Sequence, residues 1–141
     1  MHRLLAVAAL ATLATAAAHA QVAADHPWVR TTVAQQTTTG AFMTLMSAKG
    51  GKLVGASSPI AAEVEVHEMK MEGDLMKMRH LDALPLPAGK PVELKPGAYH
   101  LMMTGLKAPV KAGDVVPISL VVEDASGKRQ TVDVKATARL N

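Results

Sequence analysis

The chain has 141 residues and no cysteine; one domain with one core is its natural size, and disulfides and thiolate chemistry are excluded. Its formal charge is +3, its lysines are dispersed, and it has one Trp, one Tyr and one Phe, which excludes a nucleic-acid surface built from a basic patch and stacking aromatics. Methionine is the unusual component, with nine residues.

The first twenty residues read as a secretory leader. Met1-His2-Arg3 is a short positive start, 4–18 is an apolar run made largely of Ala and Leu, and Ala18-His19-Ala20 fits the small-x-small pattern that places cleavage before Gln21. The run is short of the ~20 residues that a membrane helix needs, and no other run of that length follows. The mature domain is therefore expected to be 21–141, with a charge of +2 once Arg3 is subtracted from +3. Without a cysteine to carry a lipid anchor, it is expected to be a freely soluble, monomeric, periplasmic protein with no membrane anchor.

The mature part reads as all-β. Short runs of Val, Leu, Thr and Met predict strands over 28–32, 41–47, 52–57, 62–71, 75–81, 92–94, 99–106, 115–123 and 130–137. Gly, Pro, Ser and Asp separate them, as at Lys49-Gly50-Gly51, Glu72-Gly73-Asp74, Pro96-Gly97 and Asp124-Ala125-Ser126-Gly127. No stretch after residue 21 sustains a helical period. Strands at this spacing argue for a single Greek-key β-sandwich or barrel. Pro117 lies inside a strong strand, where it cannot donate a ladder hydrogen bond, and predicts an edge position or a bulge.

The chemistry concentrates in two stretches. His67, Met69 and Met71 alternate along one strand and so share a face, opposite Val64 and Val66. A hairpin turning at Gly73-Asp74 would pair Met71 with Met76, Met69 with Met78 and His67 with His80. It would set Glu68 opposite Arg79, a favourable cross-strand pair, and Lys70 opposite Lys77, an unfavourable one. A turn one residue longer would scatter the sulfurs over both faces. Farther on, His100 and Met102 share one face of their strand, which leaves Tyr99, Leu101 and Met103 for the core. Neutral imidazole and thioether together suit a soft ion such as Cu(I). Zn(II) usually takes Cys, His or carboxylate, and a blue-copper electron-transfer site would require a cysteine.

Four of these residues carry a resemblance. His67, ten residues, Met78, twenty-one residues, His100, one residue, Met102 matches the H-x10-M-x21-H-x-M signature of the periplasmic PCu(A)C copper chaperones. Trp28-Val29-Arg30, 53–59, Glu68-Met69, Met76-Lys77-Met78-Arg79 and Gly113-Asp114 also resemble that family. The resemblance implies a cupredoxin-like β-barrel that binds one Cu(I) per chain through two His and two Met. These would be His67, Met78, His100 and Met102. It also implies delivery of copper toward the CuA centre of cytochrome c oxidase, with the CuA subunit or a Sco-type copper protein as partner. Some members carry a His- and Met-rich C-terminal tail for Cu(II), and Ala138-Arg139-Leu140-Asn141 does not resemble one.

Blander readings fit the remaining candidates. Met43, Met46 and Met103 read as adaptable core filler. His26 and His80 read as hydrogen-bonded structural residues. Met69, Met71 and Met76 read as an apolar rim, and Glu63, Glu65 and Glu68 as a solvated face. An enzyme is not expected, because there is no Gly-x-Ser-x-Gly, no cysteine nucleophile and no His-Glu-x-x-His. The rival functions are copper sequestration without a delivery partner and an immunoglobulin-like module that binds no metal.

Overall fold

A computed structural model describes residues 22–141, and the leader read over residues 1–20 lies outside them. Among the described residues ten strands follow one another: β1 (Val22–Arg30), β2 (Thr39–Ser47), β3 (Gly51–Ser57), β4 (Ala61–Glu72), β5 (Leu75–His80), β6 (Leu84–Leu86), β7 (Pro91–Leu94), β8 (His100–Leu106), β9 (Val115–Glu123) and β10 (Arg129–Arg139). Among the described residues no helix is long and apolar enough to cross a membrane.

Seven strands close a barrel in the order β4-β8-β2-β1-β10-β9-β3, and the pairing of Ala56 with Val64 joins β3 back to β4. The first and last strands, β1 and β10, pair in parallel, whereas the other ladders are antiparallel. The remaining strands are appendages: β6 lies on β3, β7 on β2, and β5 on β4. The single-domain all-β barrel expected from the sequence is therefore the observed architecture.

Alternation along the strands fills the interior. Val64 and Val66 of β4, Leu101 and Met103 of β8, and Val116, Ile118, Leu120 and Val122 of β9 are all buried. Each such side chain stabilises the fold by about 1.5–3 kcal/mol on full burial. The alternate residues of β4 and β8 are thereby left on the outer wall. Met43 and Met103 are core residues as read, but Met46 is 36% exposed at the end of β2.

Some boundaries differ from the sequence reading for physical reasons. β1 begins at Val22 because 22–25 pair with β2 ahead of a bulge between Asp25 and Trp28, where His26 takes a φ of 51°. β6 was not anticipated: it is three residues long and contains Pro85, but it pairs with 51–53 of β3. Tyr99 is not a core residue. The strand starts one residue later, and Tyr99 closes the preceding turn by accepting the Lys95 N–H at 2.9 Å. Pro117 sits at a local edge: β10 flanks it at Lys135, while on its other side β3 ends opposite Ser119. The Pro117 carbonyl accepts the Ser58 hydroxyl at 2.7 Å on that open side, where its missing N–H would also point.

Candidate metal centre

The β4–β5 hairpin has the register that places its sulfurs together. Its Cα partners are His67–His80, Glu68–Arg79, Met69–Met78, Lys70–Lys77, Met71–Met76 and Glu72–Leu75. Gly73 takes a φ of 61°, the left-handed value needed at the first central position of a type II′ turn. Arg79 forms an ion pair with Glu68. Lys77 escapes the unfavourable Lys70 by reaching Glu72 at 3.0 Å. The hairpin runs past the start of β8, so Met71, Leu75 and Met76 are exposed.

β8 supplies the second half. Along it, His100 pairs with His67 and Met102 with Glu65 of β4, and Met102 pairs with Gly40 of β2 on the other side. The two distant pieces of chain thus become neighbouring strands with their chemistry on one outer face. Met78, His100 and Met102 line one open cleft of about 300 Å³, together with Met69, Gly40 and Phe42. His67 does not line that cleft but stands beside it, with its ring centroid 5.7 Å from that of His100. The His80 ring is 5.8 Å from His67 on the opposite side. Among the described residues no three His, Asp or Glu side chains gather to hold a metal. A metal in this cleft would therefore need methionine sulfur, which favours a soft ion.

The two central imidazoles are held by different nitrogens. His100 Nδ1–H donates to the Ala98 carbonyl at 3.1 Å, which leaves its lone pair on Nε2. His67 Nε2–H donates to Glu65 Oε2 at 2.8 Å, and its Nδ1 is buried without a hydrogen-bond partner among the described residues. A buried acceptor left unsatisfied costs about 1–3 kcal/mol, so this atom calls for a partner. Burial lowers the pKa of His100, the Ala98 hydrogen bond opposes that shift, and the charges of His67 and Arg30 add to it. The His67 contact lowers the pKa of the Glu65 carboxyl. Glu65 is thus not only part of a solvated face, as read from its charge.

An aromatic wall backs His100. Phe42 lies 6.4 Å from the His100 ring and 4.5 Å from Trp28, ring centre to ring centre. The Arg30 guanidinium sits 5.3 Å from the Phe42 ring, and that of Arg139 sits 4.3 Å from Trp28. This stack leaves His100 only 6% exposed, while Met78 across the cleft is 47% exposed. Sequence reasoning noted Trp28 and Arg30 only as points of resemblance. Nothing in the local pattern of β2 marks Phe42 as part of the site, because its neighbour Ala41 is equally apolar and faces the core.

The profile of the LpqE-like lipoprotein family matches residues 22–136, nearly the whole described barrel. The copper-bound PCuAC domain from PmoF2 superposes with a TM-score of 0.65 at 21% identity, covering 87% of this chain and 97% of that domain. At that identity the likeness shows the fold, a cupredoxin-like barrel. The chain belongs to the LpqE-like PCuAC copper-chaperone family. Within this PCuAC family, DR1885 from Deinococcus radiodurans is 31% identical in its apo form, with a TM-score of 0.64 over 100% of this chain and 93% of that one. The CuI form of DR1885 is likewise similar, with a TM-score of 0.64 at 30% identity over 92% of this chain and 84% of that one. The Leifsonia xyli subsp. xyli protein Lxx21020 is 34% identical over 84 residues, 59% of this chain and 51% of that protein. The match thus spans about half the length of that relative.

Proposed function

We propose that this PCuAC protein is a carrier of Cu(I). It holds one ion as cargo through His67, Met78, His100 and Met102 and passes it, outside the cytoplasm, to a receiving copper protein. The receivers that fit the family are the CuA subunit of cytochrome c oxidase and a Sco-type copper protein. The observation that carries this reading is the convergence of Met78, His100 and Met102 on one cleft with the His67 ring beside them. The CuI form of DR1885, on a similar chain, supports the choice of ion. The family and the leader read over residues 1–20 support export.

The donor set suits a carrier. A thioether has no proton to lose, and His100 already offers an unprotonated Nε2 because its Nδ1–H is occupied. Exchange starts at the exposed side: a thiolate of the receiver displaces the Met78 sulfur first. His100, shielded by Phe42, is released last. No step requires turnover of a substrate, and the protein is read as a non-enzyme.

Cu(I) titration against a competing chelator under reducing conditions tests the site. One equivalent is expected for the wild type, lost or much weakened in Met78→Ala and in His100→Ala. Wild-type binding in both variants would remove the assignment. Transfer of the bound ion to an apo CuA domain distinguishes delivery from sequestration.

A further inference from the structure

We propose that Glu65 is a positioning residue of the copper site, which fixes Nδ1 as the nitrogen through which His67 meets the ion. The proposal rests on the Cu(I) reading above and deepens it. An ionised carboxylate can only accept, so the proton in the 2.8 Å contact between His67 and Glu65 belongs to His67 Nε2. The neutral ring then carries its lone pair on Nδ1. That atom is buried and has no hydrogen-bond partner among the described residues. It is therefore a donor atom prepared for something other than a hydrogen bond.

The position of Glu65 fits this role. It lies two residues before His67 on the same outer face of β4, and its cross-strand partner on β8 is Met102. It is close enough to orient His67 without displacing a thioether, and its hard oxygen is a poor ligand for a soft ion. Carboxylates commonly hold the second nitrogen of a metal-bound histidine in this way. His100 is oriented the other way round, by a backbone carbonyl on Nδ1. The two histidines therefore present different ring nitrogens, Nδ1 from His67 and Nε2 from His100.

Long-range proton–nitrogen correlation spectra of the 15N-labelled protein, apo and loaded with Cu(I), test the assignment. In the wild type, Cu(I) is expected to shift Nδ1 of His67 and Nε2 of His100, with His67 Nε2 remaining protonated. Glu65→Gln and Glu65→Ala are expected to weaken Cu(I) binding by roughly 10–100-fold. Glu65→Ala is also expected to give a mixed or switched nitrogen signature at His67. A wild-type complex in which His67 binds through Nε2, with Glu65 displaced, would overturn the proposal and leave the copper site standing. Unchanged affinity in both folded variants would overturn it equally. Failure of the wild type to take up Cu(I) would sink the proposal together with the reading beneath it.

Discussion

His67 and His100 are direct cross-strand partners on β4 and β8, yet each is anchored by the ring nitrogen that the other leaves unanchored. Residues separated by more than thirty positions in sequence are thus set side by side by the barrel, and local hydrogen bonds decide which atoms they offer. The fold brings the residues together, and the outer-wall contacts prepare them.

The first prediction concerns pH. The His100 pKa is lowered in the folded protein, chiefly by burial, from an ordinary value of 6.5. In the window just below 6.5 the unfolded chain therefore binds more protons than the native one, and stability rises with pH there. The apo protein is expected to have its highest urea midpoint above pH 6.5 and a falling midpoint as the pH drops toward the lowered native value. His100→Gln should flatten part of that slope. Identical slopes for wild type and variant would show that His100 does not contribute.

A second prediction concerns Gly40. A Cβ placed there would lie 2.8 Å from Cζ of Phe42, so Gly40→Ala must push the ring that shields His100. Overpacking of this kind costs about 1–3 kcal/mol. A lower melting temperature is expected together with weaker Cu(I) binding in chelator competition. Lower stability with unchanged affinity would mean that Phe42 does not shape the cleft.

Core and site should separate experimentally. Leu120 is fully buried in β9, away from the residues of the cleft. Leu120→Ala is expected to lose about 2–5 kcal/mol in chemical denaturation. Under folding conditions it should still bind one equivalent of Cu(I).

The Glu68–Arg79 pair bridges β4 and β5 near the candidate metal centre, but the Arg79 side chain is 60% exposed. Exposed pairs contribute little once solvent and salt screen them. A double-mutant cycle through Glu68→Ala and Arg79→Ala is expected to return a coupling below about 1 kcal/mol, shrinking further in high salt. A coupling of several kcal/mol would identify the pair as a structural clamp on the hairpin.

The hairpin was legible in the sequence because two signals agreed there: a Gly-Asp turn of two residues and an alternation of His and Met that tolerates only one register. The buried face of β4, Val64 and Val66, was legible from the same alternation. The bulge at Asp25–Trp28 was not, because the chain there breaks alternation at His26-Pro27. β6 was hidden by its length and by Pro85. Tyr99 was misplaced because strand alternation was extended one residue into a turn. Glu65 looked like any solvated carboxylate, since nothing local reveals that its neighbour two positions on has one nitrogen facing it and the other enclosed. Phe42 could not be placed at the site because its role depends on β2 lying beside β8, a pairing between distant segments.

The donors stand on the outside of a wall whose inside is already filled by Val64, Val66, Leu101 and Met103. Loading and unloading therefore need not rebuild the interior. In small domains that fold around their ion, each release is also an unfolding event. A carrier of the kind proposed would keep one scaffold in its empty and full forms, so it would make repeated journeys between supplier and recipient without exposing its hydrophobic centre to proteases or to aggregation on the return leg.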